Sequence, residues 1–132
     1  MATIIKDFLI DTPPAKAWDA LRDFGAVHEK LAVGFVTACR MEADTRVITF
    51  ANGMTLRERL VGIDEQARRV AYSAVGGLAT HHNASAQIVD TGDNRTRFVW
   101  ITDVLPNEAA DLIGPMMEQG AVAIQKTLEA RR

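Results

Sequence analysis

The sequence predicts an α+β fold: a curved, seven-stranded antiparallel sheet covered on one face by a long C-terminal helix. Three observations carry that reading. Six strand-like segments follow one another between residues 35 and 105 with only short turns between them, and short connections join antiparallel neighbours. A further strand-like segment opens the chain, ahead of two helix-like stretches. From residue 108 onward the apolar residues recur at helical spacing.

The first strand covers 3–11 and stops at Asp11, Thr12, Pro13 and Pro14, because proline cannot donate to a ladder. The same residues start a helix over 14–23, with Asp11 or Thr12 as cap and proline in the first turn. Ala17, Trp18 and Leu21 give that helix an apolar face. Asp23, Phe24 and Gly25 end it, and a second short helix spans about 26–31 before Gly34. Strands follow at 35–42, 45–51, 54–63, 69–75, 81–90 and 95–105. Their turns are Ala43-Asp44, Asn52-Gly53, Asp64-Glu65, Gly76-Gly77 and Gly92-Asp93-Asn94. Asn52-Gly53 reads as a two-residue hairpin connection, since both residues tolerate positive φ. Pro106 closes the last strand, Asn107 caps the helix over 108–130, and Gly114-Pro115 predicts a kink in it. Ile113, Met117, Ala121, Ile124 and Leu128 form the face that meets the sheet. The two short helices between the first and second strands plug one end.

The 132 residues make one domain, 1–132. A hydrophobic share of 48% supports a sizeable core. Fifteen basic against seventeen acidic side chains give a formal charge of −2 and no basic run, which argues against a nucleic-acid partner or an anionic membrane. No stretch approaches the length of a membrane span, and the N-terminus lacks the pattern of a signal peptide. Cys39 is the one cysteine, so no internal disulfide forms; a cytoplasmic location is the expectation, as monomer or homodimer. No cofactor is expected: there is no phosphate-binding glycine loop, no dinucleotide fingerprint and no nucleophile elbow. No metal is expected either. His28, His81 and Glu58 have the chemistry of zinc ligands, but the adjacent histidines 81 and 82 point to opposite faces of a strand.

Alternation along the strands sorts the side chains. Phe98, Trp100, Thr102 and Val104 share one face, as do His82, Ala84, Ala86 and Ile88. Of the two faces of 54–63, the one with Leu56, Glu58 and Leu60 faces inward, because the other carries Arg57 and Arg59. Tyr72 and Ala74 are inward by the same logic. The small residues Ala74, Ala84 and Ala86 face a helix with its own Gly120 and Ala121. That leaves volume which either large neighbours or a ligand must fill.

Ala17 to Phe24 after Pro14, Cys39, Glu58-Arg59-Leu60 followed by Asp64, Tyr72, Gly76-Gly77, Thr96 to Trp100, Pro106 and the closing helix stand in an order that spans nearly the whole chain. In that order they resemble the START-like, Bet v 1-like superfamily (SRPBCC), and within it the bacterial polyketide cyclase/dehydrase-like branch. The resemblance implies a helix-grip fold with a cavity between sheet and long helix. Members bind lipids, sterols, polyketides, plant hormones or other apolar ligands, and some are cyclases or dehydratases. In the hormone-receptor members a cavity glutamate matches Glu58 and a tyrosine matches His82, where this chain departs with Thr80, His81, His82 and Asn83. Gly76, Gly77, Leu78 and Ala79 would form the loop at the cavity mouth. The short chain implies a small cavity.

Three functions follow. The first is binding of an apolar small molecule, with Leu56, Tyr72, Ala84, Trp100, Thr102, Met116 and Gly120 as ligand contacts and Gly77, Leu78 and His81 at the mouth. Tyrosine and tryptophan suit such walls because each joins an apolar body to one polar handle. The second is a cyclase or dehydratase using Glu58 and His82 as acid and base. The third is an interaction module with its cavity filled by side chains. Glu58 has a second reading as a carboxylate paired with Arg57, Arg59 or a cross-strand cation. Cys39 reads as a small buried hydrophobe. A void in which Glu58 and His82 converge favours the enzyme; a void with them apart favours the binding protein.

Overall fold

The computed structural model describes residues 2–130. Its order of elements is β1 (Ala2–Ile10), α1 (Pro14–Arg22), a 3₁₀ turn (Phe24–Ala26), a π-helical turn (Val27–Leu31), β2 (Val36–Glu42), β3 (Thr45–Phe50), β4 (Thr55–Asp64), β5 (Arg69–Val75), β6 (His81–Asp90), β7 (Thr96–Leu105), a 3₁₀ turn (Asn107–Ala109) and α2 (Ala110–Ala130). The strands form one antiparallel sheet in the order β1-β7-β6-β5-β4-β3-β2. Six strands are thus a meander, and β1 joins its end beside β7.

Burial follows the pleat. Along β7 Thr96, Phe98, Thr102 and Val104 are buried, and along β6 Ala84, Ala86 and Ile88 are. Phe98 of β7, Ile10 of β1 and Leu128 of α2 are among the largest fully buried side chains. Phe8 stacks on Phe98 across that pair, with ring centroids 5.2 Å apart.

Polar contacts fasten α2 to β1 and the segment after it. Lys6 Nζ meets Glu118 Oε2 at 2.6 Å, Gln125 Nε2 donates to Leu9 O at 3.2 Å and Asp11 N donates to Glu129 Oε2 at 3.0 Å. The buried Thr12 hydroxyl donates to Leu128 O at 2.6 Å, and Thr12 O accepts from Thr96 Oγ1 at 2.7 Å. This corrects the capping expected for α1. Its N-cap position is Pro13 and no side chain caps it, because Thr12 is spent on a carbonyl left open near the end of α2.

Three further local expectations change. The stretch expected as one short helix is a 3₁₀ turn running into a π turn, which turns Val27 and Leu31 into the core. Asn107 does not cap through its side chain; it opens a 3₁₀ turn from which α2 continues unbroken through Pro115. The β3–β4 connection has three residues rather than two. Phe50 N bonds Met54 O at 2.8 Å and Gly53 N bonds Phe50 O at 2.9 Å. Gly53 takes φ +89°, while Asn52 stays at negative φ and its side chain accepts from Met54 N at 2.9 Å. The extra residue sets the register, so that Arg46 lies opposite Glu58.

Candidate functional site

Between the concave face of the sheet and the first half of α2 lies a cavity of about 390 Å³. One wall is α2, through Leu112, Ile113, Met116, Met117 and Gly120. The sheet supplies Ile48, Phe50, Leu56, Tyr72, Ala86 and Trp100. Val27, Leu31 and Ala32 close the end beneath the π turn, with Phe35 just beyond them. Gly76, Gly77, Leu78 and Ala79 stand at the mouth, where the Leu78 side chain is largely in solvent. Gly120 permits the close approach of α2: a Cβ there would meet Phe35 and Trp100 ring carbons at 3.1 Å.

The polar groups gather on β3, β4 and β5. Arg46 and Glu58 form an ion pair with each side chain only 8% exposed. Arg46 Nε donates to Glu58 Oε1 at 2.8 Å and a terminal nitrogen lies 2.7 Å from the same oxygen. The other terminal nitrogen donates to Phe24 O at 3.2 Å. The guanidinium also sits over the Phe24 ring, 3.9 Å from its centroid, and 5.0 Å from that of Tyr72. So Glu58 on one side and the 3₁₀ turn on the other hold Arg46 in place. Tyr72 OH accepts from Trp100 Nε1 at 2.9 Å. Burial, and secondarily the charge of Glu58, push the Tyr72 phenol well above its ordinary range, so it stays protonated.

His82 is half-buried and borders the cavity. Burial holds its imidazole below the ordinary histidine value; Glu58 pulls the other way and His81 adds to the depression. It is neutral at pH 7. Glu58 lies opposite Ala74 on β5, and Ser73 is opposite Asn83 on β6, so His82 and Glu58 stand two strands apart across that alanine. No hydrogen bond joins them among the described residues: Glu58 turns to Arg46, the cross-strand cation of its second reading.

Leu56, Tyr72, Trp100, Thr102, Met116, Gly120, Gly77 and Leu78 border the cavity with Glu58 and His82. Ala84 and His81 do not. Ala84 is buried between its cross-strand neighbours Tyr72 and Thr102, and a methyl is too short to reach past them. His81 is exposed on the opposite face from His82. Cys39 is partly buried, with its thiol pushed up by burial. Among the described residues no three of the His, Cys, Asp and Glu side chains gather where they could hold a metal ion. The residues that sequence reasoning missed are Arg46 and its support, Phe24. The available signal was Arg46, Ile48 and Phe50 at period two, which puts a cation on an apolar face.

Residues 1–130 match the family model described as polyketide cyclase / dehydrase and lipid transport. No curated protein matches the chain. Several solved structures share the fold. A START superfamily protein from Mycobacterium smegmatis is 16% identical, with TM-score 0.80, covering 98% of this chain and 99% of its own. The Zhui aromatase/cyclase from Streptomyces sp. R1128 is 14% identical, with TM-score 0.74, covering 98% and 92%. A norcoclaurine synthase point mutant from Thalictrum flavum, in complex with a transition-state analogue, is 17% identical, with TM-score 0.69, covering 99% and 96%. At such identities the likeness is one of fold. Among the described residues no helix is long and apolar enough to cross a membrane.

Proposed function

The chain belongs to the polyketide cyclase/dehydrase and lipid transport family, and from that premise we propose that it binds an apolar small molecule in the cavity between the sheet and α2. The observation that carries the proposal is the cavity itself: about 390 Å³, walled mainly by aliphatic and aromatic side chains, with a few polar groups at one region. That combination is what small-molecule sites have in common. An empty apolar volume of this size lowers stability, and a bound ligand offsets the loss. The ion pairing of Glu58 supports binding over catalysis, since its Oε1 is already engaged by Arg46 at 2.7–2.8 Å and is not free to meet a substrate proton.

Turnover is the second reading, favoured by one observation. A neutral His82, able to accept a proton, borders the same cavity as Glu58. The cyclase and synthase named among the structural neighbours give that reading its context.

A thermal-shift screen against fatty acids, sterols, flavonoids and small polyketides tests both. A hit supports binding, and chromatography of the hit after incubation with protein separates a carrier from an enzyme. A panel without a hit overturns both and leaves an interaction module in their place, one whose cavity its own side chains do not fill.

A further inference from the structure

The polar end of the cavity holds a buried ion pair. Arg46 carries a full positive charge into the interior, but its hydrogen bonds go to Glu58 Oε1 and Phe24 O, and its flat face is covered by Phe24. The pair is buried on both sides and sums to zero. A carboxylate or phosphate entering the cavity adds a third, uncompensated charge to a poorly solvated space. It gains Arg46 only by displacing Glu58, which would then be the unpaired ion; either way the cost of a buried, unpaired charge is incurred.

Two hydrogen-bonding valences of the Arg46–Glu58–Tyr72 cluster nevertheless stay open. Among the described residues no donor reaches Glu58 Oε2, since both contacts from Arg46 fall on Oε1. Tyr72 OH accepts from Trp100 and donates to no described group, so its hydrogen is available. Leu60 lies opposite Tyr72 and Glu58 opposite Ala74, so Glu58 and Tyr72 are diagonal neighbours on one face of the β4–β5 pair. One acceptor and one donor therefore stand side by side at the polar end. A hydroxyl answers both, donating to Glu58 and accepting from Tyr72. Beyond it the walls are the rings of Phe35, Phe50, Phe98 and Trp100, which suit an aromatic body.

We propose that the ligand is an uncharged, ring-bearing molecule anchored by a hydroxyl between Glu58 Oε2 and Tyr72 OH, and that the neutralised Arg46–Glu58 pair excludes anionic ligands such as fatty acids. The proposal rests on the cavity reading above and narrows it. Isothermal titration at pH 7.5 with three probes of one shape separates the two: 2-naphthol, 2-naphthoate and naphthalene. The expected order is 2-naphthol tightest, at least tenfold tighter than 2-naphthoate, with naphthalene between. Binding of 2-naphthoate as tightly as 2-naphthol overturns the charge selection and leaves the cavity reading standing. Failure of all three, naphthalene included, overturns both. Glu58→Gln frees the Arg46 charge, and in that variant 2-naphthoate should gain at least tenfold and overtake 2-naphthol; an unchanged order in the folded variant sinks the proposal. Should Glu58→Gln not fold, the double variant Arg46→Met/Glu58→Leu keeps the test open. There 2-naphthol should lose its advantage over naphthalene, and a retained advantage would place the hydroxyl elsewhere.

Discussion

Arg46 and Glu58 are the residues whose energetics decide most about the interior. Taking two charges out of water is expensive, and their attraction and hydrogen bonds return roughly what it costs. Removing one partner leaves the other buried and unpaired. Arg46→Met or Glu58→Leu alone should therefore cost about 3–5 kcal/mol in urea unfolding, while the double variant should cost much less than the sum. Additive losses would mean that the pair is not coupled. His82 gives a second, pH-dependent signature. Its folded pKa is depressed by burial, against an unfolded value near 6.5. The unfolded chain thus takes up the proton first as pH falls. Stability from this site is complete above about pH 6.5 and declines on acidification until the folded pKa is reached. Unfolding of His82→Asn at pH 7.5 and pH 5 should show a smaller loss than the parent protein does. An equal loss would assign the acid sensitivity to other groups.

α2 contains two glycines with opposite demands. At Gly114 an added Cβ meets nothing outside its immediate chain neighbours, and the backbone is helical. Gly114→Ala should raise stability by at most about 0.5–1 kcal/mol, the ordinary helix-propensity gain less the crowding of the new Cβ against the Pro115 ring. At Gly120 the same Cβ lies 3.1 Å from the rings of Phe35 and Trp100. The propensity gain is there opposed by overpacking of about 1–3 kcal/mol, so Gly120→Ala should be neutral to destabilising. A gain at Gly120 matching that at Gly114 would show that α2 does not press on the sheet there. The elements themselves were legible because the strands alternate and the turns carry Gly, Asn and Asp: β1 to β7 fall within a residue or so of their expected bounds. The inward face of β4 was legible too, since Arg57 and Arg59 on its other side leave Glu58 facing in. The partner of Glu58 was not. A two-residue Asn52-Gly53 loop would pair Ala51 with Met54 and so set Val47 opposite Glu58. The actual loop includes Ala51, pairs Phe50 with Met54, and brings Arg46 there instead. One residue of loop length thus decides which side chain meets the carboxylate. Likewise Thr12 reads as a helix cap by local rules, and only the tertiary approach of α2 gives its hydroxyl another acceptor.

At the scale of the molecule, one sheet and one helix cannot pack together everywhere. α2 is held to β1 and the segment after it through Lys6, Leu9, Asp11 and Thr12. Its opposite flank, towards β4 and β5, stands off the sheet by the width of the cavity. The chain accepts that void in its native state, so its stability is linked to whatever fills it. A ligand at 100 times its dissociation constant adds about 2.7 kcal/mol. For a domain of this length that is a rise in Tm of roughly 10 °C. The same volume can be filled covalently. Ala86 is buried on β6 and borders the cavity opposite Trp100. Ala86→Met adds a flexible side chain that adapts to irregular space. In the ligand-free protein this variant should melt at or above the parental Tm, because the added methylenes are buried without displacing packed neighbours. With a ligand identified by screening, its shift should shrink towards zero. A variant that melts lower while keeping the full ligand shift would mean that the ligand sits away from β6, nearer the mouth formed by Gly77 and Leu78.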